Sequence, residues 1–276
     1  MMSIYQLNMY GMDKVQTAIK RLQTFEPPDG YYLAFSGGKD SVVIKTLADM
    51  AGVRYDAHYN VTGIDPPELV YFIRQHHPDV VWEYPRDKDG EVITMWRLIQ
   101  KKKMPPTRVA RYCCAALKEV GGKGRFVITG VRWAESARRK RDRAGLEIDT
   151  ANKQNRTLTD PDNPDNEKLA RFCPTRGRHI LNPIIDWDDS EIWEFIHDYE
   201  IPYCSLYDHG HKRLGCIGCP MSGNQKDELN EYPKIKNLYL QSFEKMIVAR
   251  QAAGLERAWQ TGEDVMNWWT GRERGR

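Results

Sequence analysis

The segment Ser36-Gly37-Gly38-Lys39-Asp40-Ser41 joins a short apolar run, Tyr31–Phe35, to a helical pattern beginning at Asp40. Two adjacent glycines let the backbone turn sharply and approach a ligand closely. Exposed N–H groups leading into a helix N-terminus favour an anion. Lys39 adds a point charge, and Ser36 and Ser41 add hydroxyl donors. The chemistry this pattern suits is phosphate binding, with Lys39, Asp40 and Ser41 as candidate catalytic residues. It is not a Walker loop. Leu33 stands where that pattern needs its first glycine, and Asp40 rather than Ser or Thr follows Lys39.

Cysteine is the second chemical signal. Cys113 and Cys114 are adjacent, and Cys216 and Cys219 form a C-x-x-C. A disulfide framework is not expected in a cytosolic chain of this size. Four thiolates in this arrangement suit either a 4Fe-4S cluster or a zinc ion. His209 and His211, just before Cys216, keep zinc as the alternative. Cys173 and Cys204 lie outside both pairs, and small buried residues are the expectation for each.

Arginine supplies the third. Arg132, Arg138, Arg139 and Arg213 are candidates for bidentate contact with phosphate or sulfate. From Lys101 to Arg143 there are 14 Lys and Arg against 3 Asp and Glu, although the whole chain carries only +3. The block Arg138-Arg139-Lys140-Arg141-Asp142-Arg143 is denser than one small anion needs and suits a nucleic-acid backbone.

These groups need a scaffold, and the pattern around them supplies one. A helix is expected over Asp13–Gln23, strands over Tyr31–Phe35, Val53–Asn60, Val80–Tyr84 and Arg125–Val131, and helices over Asp40–Ala51, Pro66–His76, Glu91–Lys103 and Arg111–Val120. Ile44, Leu47, Ala48 and Ala51 repeat at the spacing of one helix face. Alternating strands and helices predict an α/β fold with a mostly parallel sheet flanked by helices, and ligands at the carboxyl ends of its strands. Residues 144–169 are polar and poor in apolar side chains, which reads as a surface insertion. Asp188, three before Glu191, marks a capping box at the start of a further helix, and 231–253 reads as a last helical region.

Composition sets the outer limits. The chain has 276 residues, 41% hydrophobic and 29% charged, which excludes a fibrous, disordered or disulfide-stapled class. No run approaches the ~18 apolar residues of a membrane span. Met1–Gln6 lacks the start of a secretory signal, so no membrane and a cytoplasmic location are expected.

Several segments together resemble the phosphoadenosine phosphosulfate (PAPS) reductase family of the PP-loop ATP pyrophosphatases, or adenine nucleotide alpha hydrolases, with a likeness to its DndC-like branch. Ser36–Ser41 is similar to the SGGxDS loop. Thr62-Gly63 with Glu68 resembles the segment after the second strand, and Arg111-Tyr112-Cys113-Cys114 with Lys118 the Cys-Cys helix. Gly130-Val131-Arg132, Glu135-Ser136 and Arg139 resemble the Gly-x-Arg…Glu-Ser-x-x-Arg segment, where Arg138 also fits the last slot. Pro183-Ile184 with Trp187 and Ile192-Trp193 follow. Leu206-Tyr207-Asp208, Gly210, Arg213, Gly215-Cys216 and Cys219-Pro220 close the series.

The resemblance covers roughly residues 30–225. It implies a Rossmann-like, adenine nucleotide alpha hydrolase-like fold. The expected organisation is an N-terminal helical lead over 1–30, a nucleotide-binding domain over 31–225 with a polar insertion about 144–178, and a C-terminal helical extension over 226–276. It implies a nucleotide site of Ser36, Gly37, Gly38, Lys39, Asp40, Ser41, Thr62, Gly63, Gly130, Arg132, Arg138, Arg139 and Arg213. It favours a 4Fe-4S cluster over zinc on Cys113, Cys114, Cys216 and Cys219. Family reductases carry a nucleophilic cysteine in a C-terminal Glu-Cys-Gly-[Ile/Leu]-His segment, and no cysteine follows Cys219. The expectation is therefore an ATP pyrophosphatase that uses magnesium to adenylate a substrate, nucleic acid foremost, for sulfur incorporation of the phosphorothioation or tRNA-thiolation kind. A cysteine desulfurase or other sulfur-donor protein is the expected partner. The alternatives are an adenylyl-sulfate reductase that forms sulfite and a non-catalytic nucleotide-binding scaffold.

Overall fold

The computed structural model describes residues 3–8, 11–149, 156–163, 178–255 and 258–271. In chain order the elements are α1 (Lys14–Thr24), β1 (Tyr31–Ala34), α2 (Lys39–Ala51), β2 (Tyr55–Asn60), α3 (Pro67–His76), β3 (Val81–Glu83), α4 (Met95–Lys102), α5 (Tyr112–Leu117), β4 (Phe126–Ile128), α6 (Ala137–Asp142), β5 (Leu146–Asp149), β6 (Arg156–Thr159), β7 (Arg178–Leu181), α7 (Asp189–Asp198), α8 (Gln225–Glu231), α9 (Pro233–Ala252) and α10 (Gly262–Thr270). They form two compact units. One comprises Met1–Tyr59, Glu68–Trp82 and Gly121–Arg213, the other Asn60–Pro67, Glu83–Val120 and Leu214–Arg276.

The first unit is built on a sheet of order β3-β2-β1-β4-β7-β5-β6. β2, β1, β4 and β7 run parallel, with Leu33 of β1 opposite Ala57 on one side and Ile128 on the other. Buried parallel strands need apolar residues on both faces. Tyr31, Tyr32 and Leu33 meet that need, each at most 4% exposed. Val42, Val43, Ile44, Leu47 and Ala48 of α2 are fully buried, and α2 packs between α1 and α7. The α7 start is as the sequence predicts: Asp188 accepts from the Glu191 N–H, and the Glu191 carboxylate accepts from the Asp188 N–H. This is an α/β fold with a mostly parallel sheet.

Part of the stretch read as a polar insertion belongs to this sheet. β5 pairs antiparallel with β7, and β6 antiparallel with β5. Leu146 and Ile148 are 0% and 2% exposed, so two apolar side chains in a polar context suffice to seat the strand. Glu147 between them is equally buried. Its Oε1 accepts from Asn182 Nδ2 at 2.9 Å and Arg143 Nε at 2.6 Å, which meets the requirement that a buried carboxylate be paired. Cys173 lies outside the described residues.

The second unit gathers α4, α5, α8, α9 and α10 around Leu98, Ile99, Leu117, Ile217, Tyr239, Phe243, Met246 and Trp269. The helical region expected over 231–253 is α9, preceded by the short α8 that ends at Glu231. Pro233 lacks the N–H to continue α8 and stands at the first turn of α9. Trp268 and Trp269 lie in α10, which starts with a capping box between Thr261 and Asp264. Among the described residues no helix is long and apolar enough to cross a membrane.

Candidate functional site

In the first unit the phosphate-type loop leaves β1 beside the end of β4, where the strand order reverses direction. In open α/β sheets this is the crevice that takes ligands. Gly37 has φ +74°, and a Cβ there would stand 2.8 Å from Ile73 and Leu69 of α3. Gly130, after β4, lies so close to α2 that a Cβ would come within 3.0 Å of Asp40. The loop hydroxyls are tied to the loop itself. Ser36 Oγ donates to Ser41 Oγ at 3.2 Å, and Ser41 Oγ donates to the Gly38 carbonyl at 2.8 Å.

Four charges flank the loop. Lys39 Nζ lies 3.2 Å from Asp189 Oδ1 and 3.5 Å from Asp40 Oδ2. Arg132 Nε donates to Asp40 Oδ1 and its Nη2 to Asp189 Oδ1, both at 2.7 Å. Its Nη1 reaches the Trp187 carbonyl at 3.3 Å. Arg132 is 1% exposed and Lys39 5%. Burial opposes both the Asp189 carboxylate and the Arg132 guanidinium. Their pairing outweighs it, so Asp189 sits below the usual carboxylate range and Arg132 above the usual arginine range. Arg132 thus spends its donors on protein partners and braces the two carboxylates.

The other arginines divide. Arg139 pairs with Glu135 and is near Arg143 and Arg213; burial, together with these like charges, lowers its pKa against the pull of Glu135. Arg138 is exposed and pairs with Asp142 at 3.4 Å, as Arg141 does at 2.7 Å. Arg143 is held by Glu147. In the block that reads as strongly basic in sequence, Glu135, Asp142 and Glu147 pair with the four arginines, Arg138 and Arg141 sharing Asp142, so the block stays net positive. Thr62 and Gly63 belong to the second unit. There Thr62 Oγ1 donates to Asp65 Oδ2 at 2.7 Å and accepts the Ile64 N–H at 3.2 Å, while Gly63 takes φ +74°.

Two participants carried no sequence expectation of their own. Asp189 was hidden in a helix start attributed to Asp188. Tyr207 stood only as part of a longer segment, yet its hydroxyl accepts the Lys39 N–H at 3.0 Å. A capping aspartate followed by a second aspartate is the one local hint for Asp189.

The second unit holds the cysteines. Cys113 and Cys114 sit in the first turn of α5, and Cys216 and Cys219 in a turn closed by the Cys219 N–H on the Cys216 carbonyl at 3.2 Å. Gly218 inside that turn has φ +69°, and a Cβ there would meet Leu229 at 2.8 Å. All four are free thiols, and Cys113 feels the charge of the other three. The Cys113 thiol donates to Cys114, which raises Cys113 and lowers Cys114; Arg111 Nη2, 3.5 Å from Cys114 Sγ, adds to the lowering. Burial pushes Cys216 up to about 12. Lys118, opposed by burial but favoured by Cys216 and Asp65, stays above the usual lysine range. Among the described residues no three His, Cys, Asp or Glu side chains converge as a ready metal-binding group.

Beside the cysteines, Lys103–Arg111 is pinned to its own unit. The Lys103, Met104 and Pro106 carbonyls accept from Arg250 at 2.8 Å, Tyr112 at 2.7 Å and Trp269 at 2.6 Å, and Arg108 Nε donates to the Pro220 carbonyl at 2.9 Å. No acidic residue occurs from Val92 to Lys118. Among the described residues Lys101, Lys102, Lys103, Arg108 and Arg111 form no ion pair.

With this geometry in hand, comparison with known proteins gives a consistent family. Residues 30–222 match the phosphoadenosine phosphosulfate reductase domain. The chain belongs to the PAPS reductase family. It is 25% identical over 226 residues to an uncharacterized protein of Methanocaldococcus jannaschii, covering 78% of this chain and 46% of that one. It is 32% identical over 51 residues to the adenosine 5'-phosphosulfate reductase of Salinibacter ruber, covering 18% of this chain and 20% of that one. These matches span less than half the length of either relative. Among solved structures, the phosphate complex of the PAPS reductase from Candida auris aligns with TM-score 0.46 and 16% identity, over 72% of this chain and 88% of that one.

Proposed function

We propose that the chain is an ATP pyrophosphatase that adenylates a substrate for sulfur incorporation. The observation that carries this reading is the pair of carboxylates, Asp40 and Asp189, bridged by Arg132 beside the phosphate-type loop. Magnesium is bound through one or two carboxylates plus substrate phosphates, and Asp40 and Asp189 fit that description. Lys39 and the loop N–H groups would stabilise charge developing on the departing pyrophosphate. Arg139 and Arg213 would take a further anionic group of the same ligand.

The free thiols of Cys113, Cys114, Cys216 and Cys219 suit a 4Fe-4S cluster in donor type and number. Lys118 and Arg111 beside them would offset the negative charge of four thiolates. A cluster held there would supply an iron centre able to polarise or ligate an anionic sulfur group. Lys101, Lys102, Lys103 and Arg108, which form no ion pair among the described residues, favour a polyanionic acceptor, for which nucleic acid is the leading class. The test is pyrophosphate release from magnesium-ATP by anaerobically prepared protein, with and without nucleic acid. Sulfite release from adenylyl-sulfates with a thiol reductant, and no pyrophosphate, would replace this reading with a reductase.

A further inference from the structure

The start of α2 lacks an ordinary cap. Its N-cap is Gly38, which has no side chain to accept from the first-turn N–H groups. The Ser41 and Val42 N–H groups turn back to the Gly38 carbonyl at 3.0 and 3.1 Å. The Lys39 N–H instead donates to the Tyr207 hydroxyl at 3.0 Å, a partner 168 residues away. The same hydroxyl lies 3.4 Å from where a Cβ of Gly38 would stand, so it sits over the glycine face of the loop.

Tyr207 is itself held from behind. It ends the 3-10 turn Ser205–Tyr207. Its ring meets Trp193 edge-on at 5.2 Å and Tyr203 at 6.4 Å, and Lys39 Nζ lies 6.0 Å from its centroid. Burial keeps the phenol protonated well above the ordinary tyrosine range, against the pull of the Lys39 N–H. A neutral oxygen therefore occupies a first-turn donor that a glycine-capped helix start offers to an anion.

We propose that the Tyr207 hydroxyl is a built-in placeholder for a phosphate oxygen, holding the Lys39 N–H in place until pyrophosphate or the phosphate end of a nucleotide displaces it. The exchange is favourable because an N–H bonded to a charged oxygen is roughly twice as strong as one bonded to a neutral oxygen. Tyr207 is thus a positioning residue: it satisfies the donor in the empty loop and sets a threshold that only an anion passes. This rests on the reading of Ser36–Ser41 as a phosphate site.

The experiment titrates inorganic pyrophosphate into the isotope-labelled full chain and its Tyr207→Phe variant, following calorimetry and the Lys39 amide resonance. Without ligand, the Lys39 amide should differ between the two proteins. Tyr207→Phe should bind pyrophosphate roughly five- to tenfold more tightly, the equivalent of one ordinary hydrogen bond no longer displaced. At saturation the two Lys39 resonances should coincide. Equal or weaker binding by the variant, or resonances that remain apart at saturation, overturns the placeholder while leaving the phosphate site intact. No binding by either protein removes the phosphate-site reading itself. Should Tyr207→Phe fail to fold, the unaltered chain still decides. The Tyr207 ring resonances must shift as pyrophosphate saturates the loop, and unchanged ring resonances in a saturated protein contradict the proposal.

Discussion

Arg132 and Asp189, 57 residues apart in the chain, are joined by a 2.7 Å ion pair that leaves the guanidinium 1% exposed. The same guanidinium holds Asp40, so one buried cation fixes two carboxylates at the mouth of the loop. Asp189 is largely exposed and both carboxylates keep Lys39, so the loss of Arg132 costs mainly its own buried hydrogen bonds. Arg132→Ala is expected to destabilise the fold by about 2 kcal/mol, measured by denaturant unfolding. A loss under about 1 kcal/mol, the value of an exposed pair, would show that Arg132 does not brace the site.

Lys39→Ala keeps the helix start and removes the ammonium that faces Asp40 and Asp189. Turnover of nucleotide should fall by about 100-fold or more, with the unfolding midpoint little changed because Asp189 and Asp40 keep Arg132. Unchanged turnover would remove Lys39 from the chemistry.

His77 gives the first unit an acid limit. It is 7% exposed, packed against Phe35 and Phe72, with Lys45, His76, Asp79 and Asp49 as its charged neighbours. Burial, helped by Lys45 and His76 and opposed by the two aspartates, lowers its pKa from 6.5 to about 4. Between those values the unfolded chain binds the proton and the folded chain does not. Stability is therefore full above about pH 6.5 and is lost as pH falls toward 4, by up to about 3 kcal/mol for this group. The slope of unfolding free energy against pH over that window should be smaller in His77→Leu. An identical slope would assign the acid sensitivity elsewhere.

Much of the loop and its strand and helix was legible in sequence because the signals are local. Glycine pairs, an apolar run and a 3.6-residue period are all read within about a dozen residues. The Asp188–Glu191 capping box was legible for the same reason. Asp189, Tyr207 and the β5–β6 ribbon were not. Asp189 and Tyr207 act through partners 57 and 168 residues distant, and no local pattern encodes those. In β5, Leu146 and Ile148 among polar residues gave too weak an alternation, and the Asn182 partner that satisfies the buried Glu147 between them lies 35 residues away. Pairing within the basic block was not legible either: a count of arginines does not show that Glu135, Asp142 and Glu147 hold Arg138, Arg139, Arg141 and Arg143, two of them sharing Asp142.

That difference is measurable. If nucleic acid binds, replacing Lys101, Lys102 and Lys103 by Ala should flatten the dependence of log affinity on log salt by about 2 to 3. Replacing Arg138 and Arg141 by Ala should flatten it less, because both share Asp142. The reverse ranking would return the contact to the 138–143 block.

Anaerobically purified protein should be brown and hold about four iron per chain, and Cys216→Ser should lower that content. Colourless protein with one zinc would instead assign the four thiols to a tetrahedral metal site.

The central claim is that the loop and its two carboxylates break ATP at the α-phosphorus. The most direct test is pyrophosphate release from magnesium-ATP by the anaerobic protein, with and without added nucleic acid. The account predicts release that nucleic acid stimulates and Lys39→Ala abolishes. No pyrophosphate under any condition, with sulfite formed from an adenylyl-sulfate and a thiol reductant, would contradict it.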